Sequence, residues 1–428
     1  MSDWKSVQLR DVSTKITKGT TPTTMGYAFQ EVGINFIKAE SILRNGTIAP
    51  DTFSHIDEKT HNALKRSIIE ESDVLVTIAG IYLGKIGLVQ KEHLPANTNQ
   101  AVAIVRPDSK KMVPAFLKYF LLVDSTTKYL NALCPQSAQP NLNLTQLGNL
   151  KFPLPPLPIQ RKIAAVLSAY DDLIENNTRR IAILEKMAEE LYREWFVRLR
   201  FPGHEKTKIV KGVPEGWKHV ELIEIAFINQ QNIGKGFPHE WIDYLDISAV
   251  STNTISKPDR MKFSEAPSRA RRLVKHGDII WSTVRPANRA FAVVLHPQNN
   301  LVVSTGFVVL TPRGNIPFSF LHRITTTNEF VDQMVSVAKG AAYPATSSED
   351  FGKAKVWLPP QTLLDHFARV CDSIYLKAHY QRKQSELLSE ARNSLLSRLM
   401  SGKIDLEHLE HLDIHFPPSM REEELVHA

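Results

Sequence analysis

The chain has 428 residues, enough for about three domains, and 43% of them are hydrophobic, which is ample for buried cores. It contains no run of about 18 apolar residues, and its first residues do not start a signal peptide, so we expect a soluble, cytoplasmic protein with no membrane partner. The formal net charge of +7 favours a polyanionic partner, although proteins that bind no nucleic acid can have the same balance.

Residues 1–152 are predicted to form a compact domain of mixed α/β structure. Short apolar runs at 73–78 and 101–105 have strand character, and clusters of Gly, Asn and Thr separate them. A helical run around 116–120 is expected to pack on these strands.

Three turns of this domain, at 18–22, 80–85 and 97–100, are rich in hydrogen-bonding groups. Loops on a rigid scaffold often carry recognition residues, yet polar loops are also the default for any surface. The turn at 80–85 is not a phosphate-binding loop, because its two glycines are too close together and Ile86 follows the lysine where a hydroxyl is required. We predict a tight turn that presents Tyr82 and Lys85.

Residues 153–203 are predicted to contain a long helix, from about 159 to 197. Two interleaved columns recur at every seventh position, namely Ile163, Tyr170, Asn177, Leu184 and Leu191, and Leu167, Ile174, Ile181, Ala188 and Trp195. This spacing is typical of a coiled-coil seam, although a core helix of a globular domain is the alternative. At 1.5 Å per residue the helix would be about 57 Å long.

A second copy of this helix is predicted in residues 358–403. The Leu-Pro-Pro segment at 154–156 reappears at 358–360, and both columns continue at the same offset, though less regularly. Each copy has a polar residue at the middle of its first column, Asn177 in one and Gln381 in the other. In an antiparallel pair these two would meet and fix the register, although two polar residues can also coincide by chance.

Residues 204–357 are predicted to form a second domain, and residues 404–428 a tail. The start of this domain, at 217–222, and its strand at 278–283 are similar in sequence to the corresponding segments of the first domain. A module that consists of one domain followed by one long helix is therefore predicted to occur twice in the chain. Amides at 229–232 and basic residues on both sides of the strand favour a DNA face, because Arg and Lys bind phosphate and guanine while Asn and Gln match adenine. A solvated basic surface is the alternative.

The sequence contains no recognisable catalytic or metal site. Cys134 and Cys371 lie far apart, and the histidines at 408, 411 and 415 lack ligand spacing. No Pro-Pro pair belongs to the Asn/Asp-Pro-Pro-aromatic motif of adenine methyltransferases, and no cofactor loop or nuclease cluster is evident. We therefore predict a non-catalytic chain.

Five segments in and next to the two helices are specific enough to indicate a family. They are LPPLPIQRKIAAVL at 154–167 with YDDLIENN at 170–177, EWFV at 194–197 with FPG at 201–203, and SRLMSGKI at 397–404. Together they resemble the DNA-specificity subunit of type I restriction-modification enzymes, over nearly the whole chain. The second repeat departs from this pattern in having Leu364 at the position of Gln160.

The resemblance implies an α+β fold in which two target-recognition domains are separated by two long antiparallel coiled-coil helices, with an internal pseudo-twofold repeat. It implies a bipartite, asymmetric DNA target whose two half-sites flank an unread spacer of fixed length. The implied partners are double-stranded DNA, two methyltransferase subunits and restriction-translocase subunits. S-adenosylmethionine, ATP and Mg²⁺ are expected on those subunits and no cofactor in this chain. Charged residues on the outer face of the first helix are expected to dock them, namely Lys162, Glu175, Arg179, Glu185, Lys186 and Glu190.

The candidate DNA-binding residues come from the polar turns and the basic cluster. They are Lys18, Thr20, Thr21, Tyr82, Lys85, Asn97, Asn99, Gln100, Gln230, Gln231, Asn232, Lys235, Arg269, Arg271, Arg272, Arg285, Asn288 and Arg289. Two other functions stay open at this point: a coiled-coil scaffold that binds protein partners, and an enzyme whose motif is not recognisable.

Overall fold

The structure is a computed structural model that describes residues 4–134, 141–234 and 236–404. The described residues form two compact units. Unit 1 lies within Met1–Glu175 and Glu386–Ala428, and unit 2 is Asn176–Ser385. Lys235 lies outside the described residues, and so do residues 405–428, which are all but the first residue of the predicted tail.

Unit 1 consists of short strands and four short helices that precede a long one. Its strands are β1 (Lys5–Gln8), β2 (Ser13–Lys18), β3 (Ile34–Ile37), β4 (Ser54–Ile56), β5 (Ile68–Ile69), β6 (Val74–Thr77), β7 (Ile86–Leu88), β8 (Ala96–Thr98), β9 (Val102–Pro107) and β10 (Lys151–Leu154). Its helices are α1 (Glu58–Ala63), α2 (Pro114–Leu122), α3 (Asp124–Ala132) and α4 (Leu144–Gly148).

The strands of unit 1 form an antiparallel sheet of order β2-β9-β6-β7, a mixed sheet of order β4-β3-β8-β5 and the pair β1-β10. Strand β6 shows how the first sheet is buried on both faces. Val74 and Val76 pack with Phe116 of α2, whereas Leu75 packs with Ile37 of the second sheet. Side chains alternate between the faces of a strand, so a strand between two apolar layers reads as a continuous apolar run.

The first long helix, α5 (Leu157–Tyr192), continues into a five-residue π-helical turn, Arg193–Val197. It starts directly after Pro156, since proline is tolerated at a helix start but not inside a helix. The second long helix, α10 (Gln361–Met400), likewise starts directly after Pro360. Between them, unit 2 contains four short helices, α6 (Leu222–Ile225), α7 (Phe318–Thr325), α8 (Asn328–Val337) and α9 (Ser348–Lys353).

The strands of unit 2 repeat the sheet orders of unit 1. They are β11 (Ile209–Val210), β12 (Val213–Pro214), β13 (Lys218–Glu221), β14 (Ala226–Ile228), β15 (Trp241–Leu245), β16 (Val250–Ser251), β17 (Thr254–Ile255), β18 (Asp259–Lys262), β19 (Ala270–Leu273), β20 (Asp278–Ser282), β21 (Phe291–Val294), β22 (Leu301–Ser304), β23 (Phe307–Pro312) and β24 (Lys355–Leu358). The orders are β14-β23-β20-β21, β18-β15-β22-β19 and β13-β24, with the small pairs β11-β12 and β16-β17 in addition.

The equivalence of the two units extends to single hydrogen bonds and strand directions. Asp73 before β6 and Asp278 at the start of β20 each accept a hydrogen bond at 2.8 Å from the backbone N–H three residues earlier. The only parallel strand pair in each described unit is also equivalent, β3 with β8 and β15 with β22. Strand for strand, the two units have the same three main sheets.

Segments of both long helices belong to each unit. In unit 2, Asn177 of α5 bonds to Gln384 of α10, whereas Tyr192 packs on Phe367, so these two segments run antiparallel. The amide of Asn177 donates to Gln384 Oε1 at 3.1 Å and not to Gln381, whose own Oε1 is buried without a partner. Gln384 and Gln381 lie three residues apart, so a small difference in helix rotation and register exchanges one for the other.

None of the helices among the described residues is long and apolar enough to cross a membrane. Across 4–134, 141–234 and 236–404, His, Cys, Asp and Glu side chains form no group of three or more that could hold a metal ion.

Candidate nucleic-acid interface

In unit 1, the strand register gathers three connections at one end of the first sheet. Strand β2 ends at Lys18, opposite Ala103, and β6 ends at Thr77, opposite Val102 at the start of β9. The segment after β2, the turn between β6 and β7, and the β8–β9 connection therefore lie at the same end. These are the three polar turns that the sequence predicts to be recognition loops.

Backbone hydrogen bonds hold two of these connections together. The N–H of Gly19 donates to Val102 and that of Thr20 to Thr98, each at 3.2 Å. A Cβ at Gly19 would lie only 2.0 Å from the carbonyl oxygen of Thr98, so only glycine permits this approach. The contact places Lys18 and Thr20 beside the Asn99–Gln100 turn.

The turn between β6 and β7 presents Tyr82 and Lys85 as a pair. The Lys85 ammonium lies 4.2 Å from the centroid of the Tyr82 ring, and Thr77 Oγ1 accepts a hydrogen bond from the Lys85 backbone N–H at 2.8 Å. Partial burial lowers the pKa of Lys85, and the nearby charge of Arg44 lowers it further. Both side chains are only half-buried, so they remain accessible to a ligand.

The structure changes the interpretation of two residues in this region as candidates for DNA binding. Asn97 is fully buried, and its amide bonds to the carbonyl of Leu64 and to His61, so it is unavailable to DNA and serves the core instead. Arg66, which the sequence-based set omits, is exposed and donates from Nε to Thr17 Oγ1 at 3.0 Å, one residue before Lys18. No sequence signal separates Arg66 from other surface cations.

In unit 2 the equivalent connections carry the basic cluster. Strand β14 ends at Ile228 opposite Leu310, and β20 ends at Ser282 opposite Phe307. By this register, Gln230 corresponds to Lys18, and the segment 283–290 corresponds to the β6–β7 turn.

Backbone hydrogen bonds join the amide segment to the arginine strand. The N–H of Ile233 donates to Arg271 at 2.7 Å, and that of Leu273 donates to Gln231 at 3.1 Å. The N–H of Thr305, in the β22–β23 connection, donates to the carbonyl of Arg269 at 2.8 Å. The candidates Gln230, Gln231, Asn232, Arg269, Arg271 and Arg272 thus lie together, next to the β22–β23 connection.

Most guanidinium groups of this region already have partners within the protein. Arg269 pairs with Asp246 at 2.9 Å and with the Tyr244 hydroxyl at 3.0 Å. Arg271 donates to the carbonyl of Ala270 at 3.0 Å, and Arg289 to Asn328 at 2.6 Å.

Arg272 is the most enclosed member of the cluster. It donates to the carbonyl of Thr305 at 3.3 Å, while its Nε and Nη1 are buried without partners. Burial therefore lowers the pKa of its guanidinium. Arg272 faces the protein interior more than a ligand.

The turn after β20 is braced by a loop that sequence reasoning missed. The N–H of Arg285 donates to the carbonyl of Pro344 at 2.7 Å, and that of Thr346 to Thr283 at 2.9 Å. The loop carries Tyr343, which is 68% exposed and has its ring centroid 4.5 Å from the Arg285 guanidinium. An aromatic residue between small residues and proline gave no specific signal. Asn288 is exposed in the same turn.

Comparison with known proteins agrees with this architecture. Residues 1–186 match the family model described as Type I restriction modification DNA specificity domain. The chain is 24% identical to the Type I restriction enzyme MjaIX specificity subunit of Methanocaldococcus jannaschii, with 95% of each chain covered. It is 31% identical to the EcoBI specificity subunit of Escherichia coli over 38% of this chain and 36% of that one.

A solved structure has the same fold. The crystal structure of the Type-I restriction-modification system S subunit from M. genitalium matches with a TM-score of 0.60 at 17% identity, covering 93% of this chain and 96% of that chain.

Two α+β units of equal topology, each with polar loops at one sheet end, give the chain the fold of the solved S subunit. The chain is similar to type I restriction enzyme specificity subunits over nearly its whole length, in agreement with the resemblance of its sequence motifs. These relatives are named specificity subunits, which agrees with the prediction of a non-catalytic chain.

Proposed function

We propose that this chain is the DNA-recognition subunit of a type I restriction-modification complex, and that each unit reads one half of a bipartite target. The observation that carries the proposal is the equivalence of the loops. Both units place the segment after the first strand, the hairpin turn and the strand connection at the same end of equivalent sheets. A scaffold repeated in this way can present two recognition surfaces.

The two surfaces differ in chemistry, so the two half-sites should differ in sequence. Unit 1 presents Lys18 and Thr20 where unit 2 presents Gln230 and Asn232. Lysine and threonine favour phosphate contacts and general polar contacts, whereas amides can pair with the two hydrogen-bonding groups of adenine. The proposed target is therefore asymmetric.

The long helices α5 and α10 are proposed to set the length of the unread spacer. Half-sites on one face of B-DNA lie about one helical turn, or roughly 10 bp, apart from centre to centre. Helices of 36 and 40 residues have lengths of this order or greater, since each residue adds about 1.5 Å. A rigid helical spacer would fix the separation of the half-sites.

Partner subunits are proposed to dock on the long helices. Of the predicted docking residues, Glu185 pairs with Arg382 and Glu190 pairs with Arg193 within the chain. Ile183 and Met187, four residues apart on α5, are 59% and 51% exposed and offer an apolar contact that a lone charged face lacks. We propose methyltransferase subunits with bound S-adenosylmethionine as the occupants, together with restriction-translocase subunits that use ATP and Mg²⁺.

The test is to co-purify the tagged chain with its partners and to map adenine methylation in its host with and without the gene. We expect methylation of one split, asymmetric motif to depend on the gene, and a methyltransferase to co-purify. Exchanging Gln230, Gln231 and Asn232 for alanine should alter one half-site only, and the matched change of Lys18, Thr20 and Thr21 should alter the other.

Two results together would contradict the proposed recognition function. If no methyltransferase co-purified and the complex bound DNA without sequence preference, the recognition function would be rejected in favour of a protein scaffold. Salt dependence helps to separate the two, because DNA binding through phosphate contacts weakens steeply as salt rises.

A further inference from the structure

Arg285 is the arginine of the unit 2 face that is free to bind a ligand. The guanidinium groups of Arg269, Arg271, Arg272 and Arg289 all donate hydrogen bonds within the protein. The Arg285 guanidinium makes no hydrogen bond or ion pair with any residue in the described part of the chain, and the residue is exposed. Its five donors are therefore available.

The backbone at Arg285 favours glycine, yet this position holds arginine. Ala79 after β6 and Val284 after β20 occupy equivalent positions in the two units. Each forms an isolated β-bridge, Ala79 with Asn141 and Val284 with Ala345. The next residue has a positive φ in both units, +73° at Gly80 and +50° at Arg285. Residues other than glycine rarely adopt this conformation. Unit 2 nevertheless has an arginine here, where unit 1 has a glycine that adopts the conformation without strain. This points to a use for the side chain.

The Arg285 side chain is also held in place. Tyr343 stacks against its guanidinium at 4.5 Å, and the Pro344 carbonyl anchors its backbone N–H. A planar guanidinium on an aromatic face retains its outward donors while losing rotational freedom. The guanidinium of Arg285 is thus held in place at this end of the sheet, with its outward N–H groups ready to donate.

We propose that Arg285 reads a guanine in the half-site bound by unit 2, and that Tyr343 positions its guanidinium for that contact. The inference rests on the proposed DNA-recognition function and specifies one base that unit 2 recognises. Arginine matches guanine because two N–H groups of the fork donate to the O6 and N7 acceptors in the major groove. Phosphate would also accept from the fork, so the experiment must distinguish base from backbone.

The experiment uses the complex with its methyltransferase and the target mapped by methylation. Binding is measured by fluorescence anisotropy on duplexes in which each G·C pair of the target is replaced in turn. We expect the unmodified complex to lose affinity by roughly 10- to 100-fold at one G·C pair. With Arg285→Gln, that discrimination should disappear, while the other positions remain specific.

Further variants separate the roles of the two side chains. Tyr343→Ala should weaken discrimination at the same base pair without changing the salt dependence, whereas Tyr343→Phe should retain it because the ring is kept. The matched control is Arg313→Gln. Arg313 lies 5.0 Å from the ring of Phe227, just after β23 ends and so at the opposite end of the same sheet. It should leave specificity unchanged.

Three results would overturn the proposal. The target could contain no G·C pair whose replacement is penalised, or Arg285→Gln could preserve every preference. Alternatively, Arg285→Gln could weaken all sequences equally and reduce the salt slope by about one, which would assign Arg285 to a phosphate. Failure of the underlying function looks different, because then the unmodified complex itself would have no sequence preference.

Discussion

Asp171 in α5 accepts a hydrogen bond from the guanidinium of Arg392 in α10 at 2.5 Å, and the two side chains are only 16% and 15% exposed. The other carboxylate oxygen accepts from Lys118 at 2.9 Å and from the Tyr119 hydroxyl at 2.7 Å. One carboxylate therefore joins α2, α5 and α10 within unit 1.

We expect Asp171→Asn to destabilise unit 1 by about 3 kcal/mol, since removing one member of a buried ion pair leaves Lys118 and Arg392 uncompensated. The matched control is the exposed neighbour Asp172. Burial and the charges of Asp171 and Glu175 raise the pKa of Asp172, so Asp172→Asn should cost little or stabilise. Hydrogen exchange of α2 measures the change, and equal protection in both variants would contradict this account.

The same carboxylate predicts acid sensitivity. Burial raises the pKa of Asp171, but Lys118 and Arg392 outweigh it and hold that pKa below its ordinary value. A lowered carboxyl pKa contributes stability above the unfolded-state pKa of about 3.9, and this stability is lost as pH falls through the folded-state value. Protection of α2 should therefore fall below about pH 4, less steeply in Asp171→Asn. An unchanged slope would show that other carboxyls dominate.

His322 should make unit 2 sensitive to mild acid. Burial lowers the pKa of His322 well below its ordinary value, and Arg323 and Arg382 lower it further. The unfolded state then binds more protons, so stability declines as pH falls below about 6.5. His322→Gln keeps a partner for the Tyr375 hydroxyl, 2.6 Å from His322 Nδ1, but removes the titration.

The measurement is urea unfolding followed by tryptophan fluorescence between about pH 7 and pH 5, since Trp281 is buried in unit 2. The pH slope should shrink in His322→Gln and persist when His239, which lies in a loop of the same unit, is replaced by glutamine. If both variants keep the original slope, His322 is not its source.

Asn97 should matter for stability and not for DNA binding. Asn97→Ala removes the hydrogen bonds to Leu64 and His61 and should cost about 2 kcal/mol, the usual effect of leaving buried groups without partners. Gln100→Ala, at an exposed position three residues later, should leave stability unchanged and weaken DNA binding. Thermal unfolding and DNA titration of both variants decide, and the reverse pattern would restore Asn97 to the interface.

The two glutamines of α10 should respond in opposite directions. Gln381→Leu removes a buried oxygen without a partner and should stabilise unit 2 by about 1 kcal/mol. Gln384→Leu should destabilise it by about 1 kcal/mol, because the amide of Asn177, which is only 6% exposed, loses its acceptor. Urea unfolding checks both, and a loss of stability in Gln381→Leu would indicate that Gln381 and not Gln384 serves Asn177.

The sequence by itself determined the local elements and indicated a resemblance to a family. The helix expected from about 159 to 197 is α5 with its π-helical turn, the strand run at 73–78 contains β6, and the run at 101–105 overlaps β9. These features depend on proline positions and on apolar periods of seven and two residues, which are properties of neighbouring residues. The motif segments at 154–177, 194–203 and 397–404 were enough to indicate the resemblance.

Only the tertiary structure decided which side chains serve the interface. Asn97 and Gln100 belong to one polar segment of the sequence, but only Asn97 is buried, in β8, where it bonds to Leu64 and His61. Five arginines look alike in sequence, yet Asp246, Thr305 and Asn328, each from another segment, engage three of them, whereas the Arg285 guanidinium has no such partner among the described residues. Such pairings join residues distant along the chain, so they depend on register and packing that no local pattern contains.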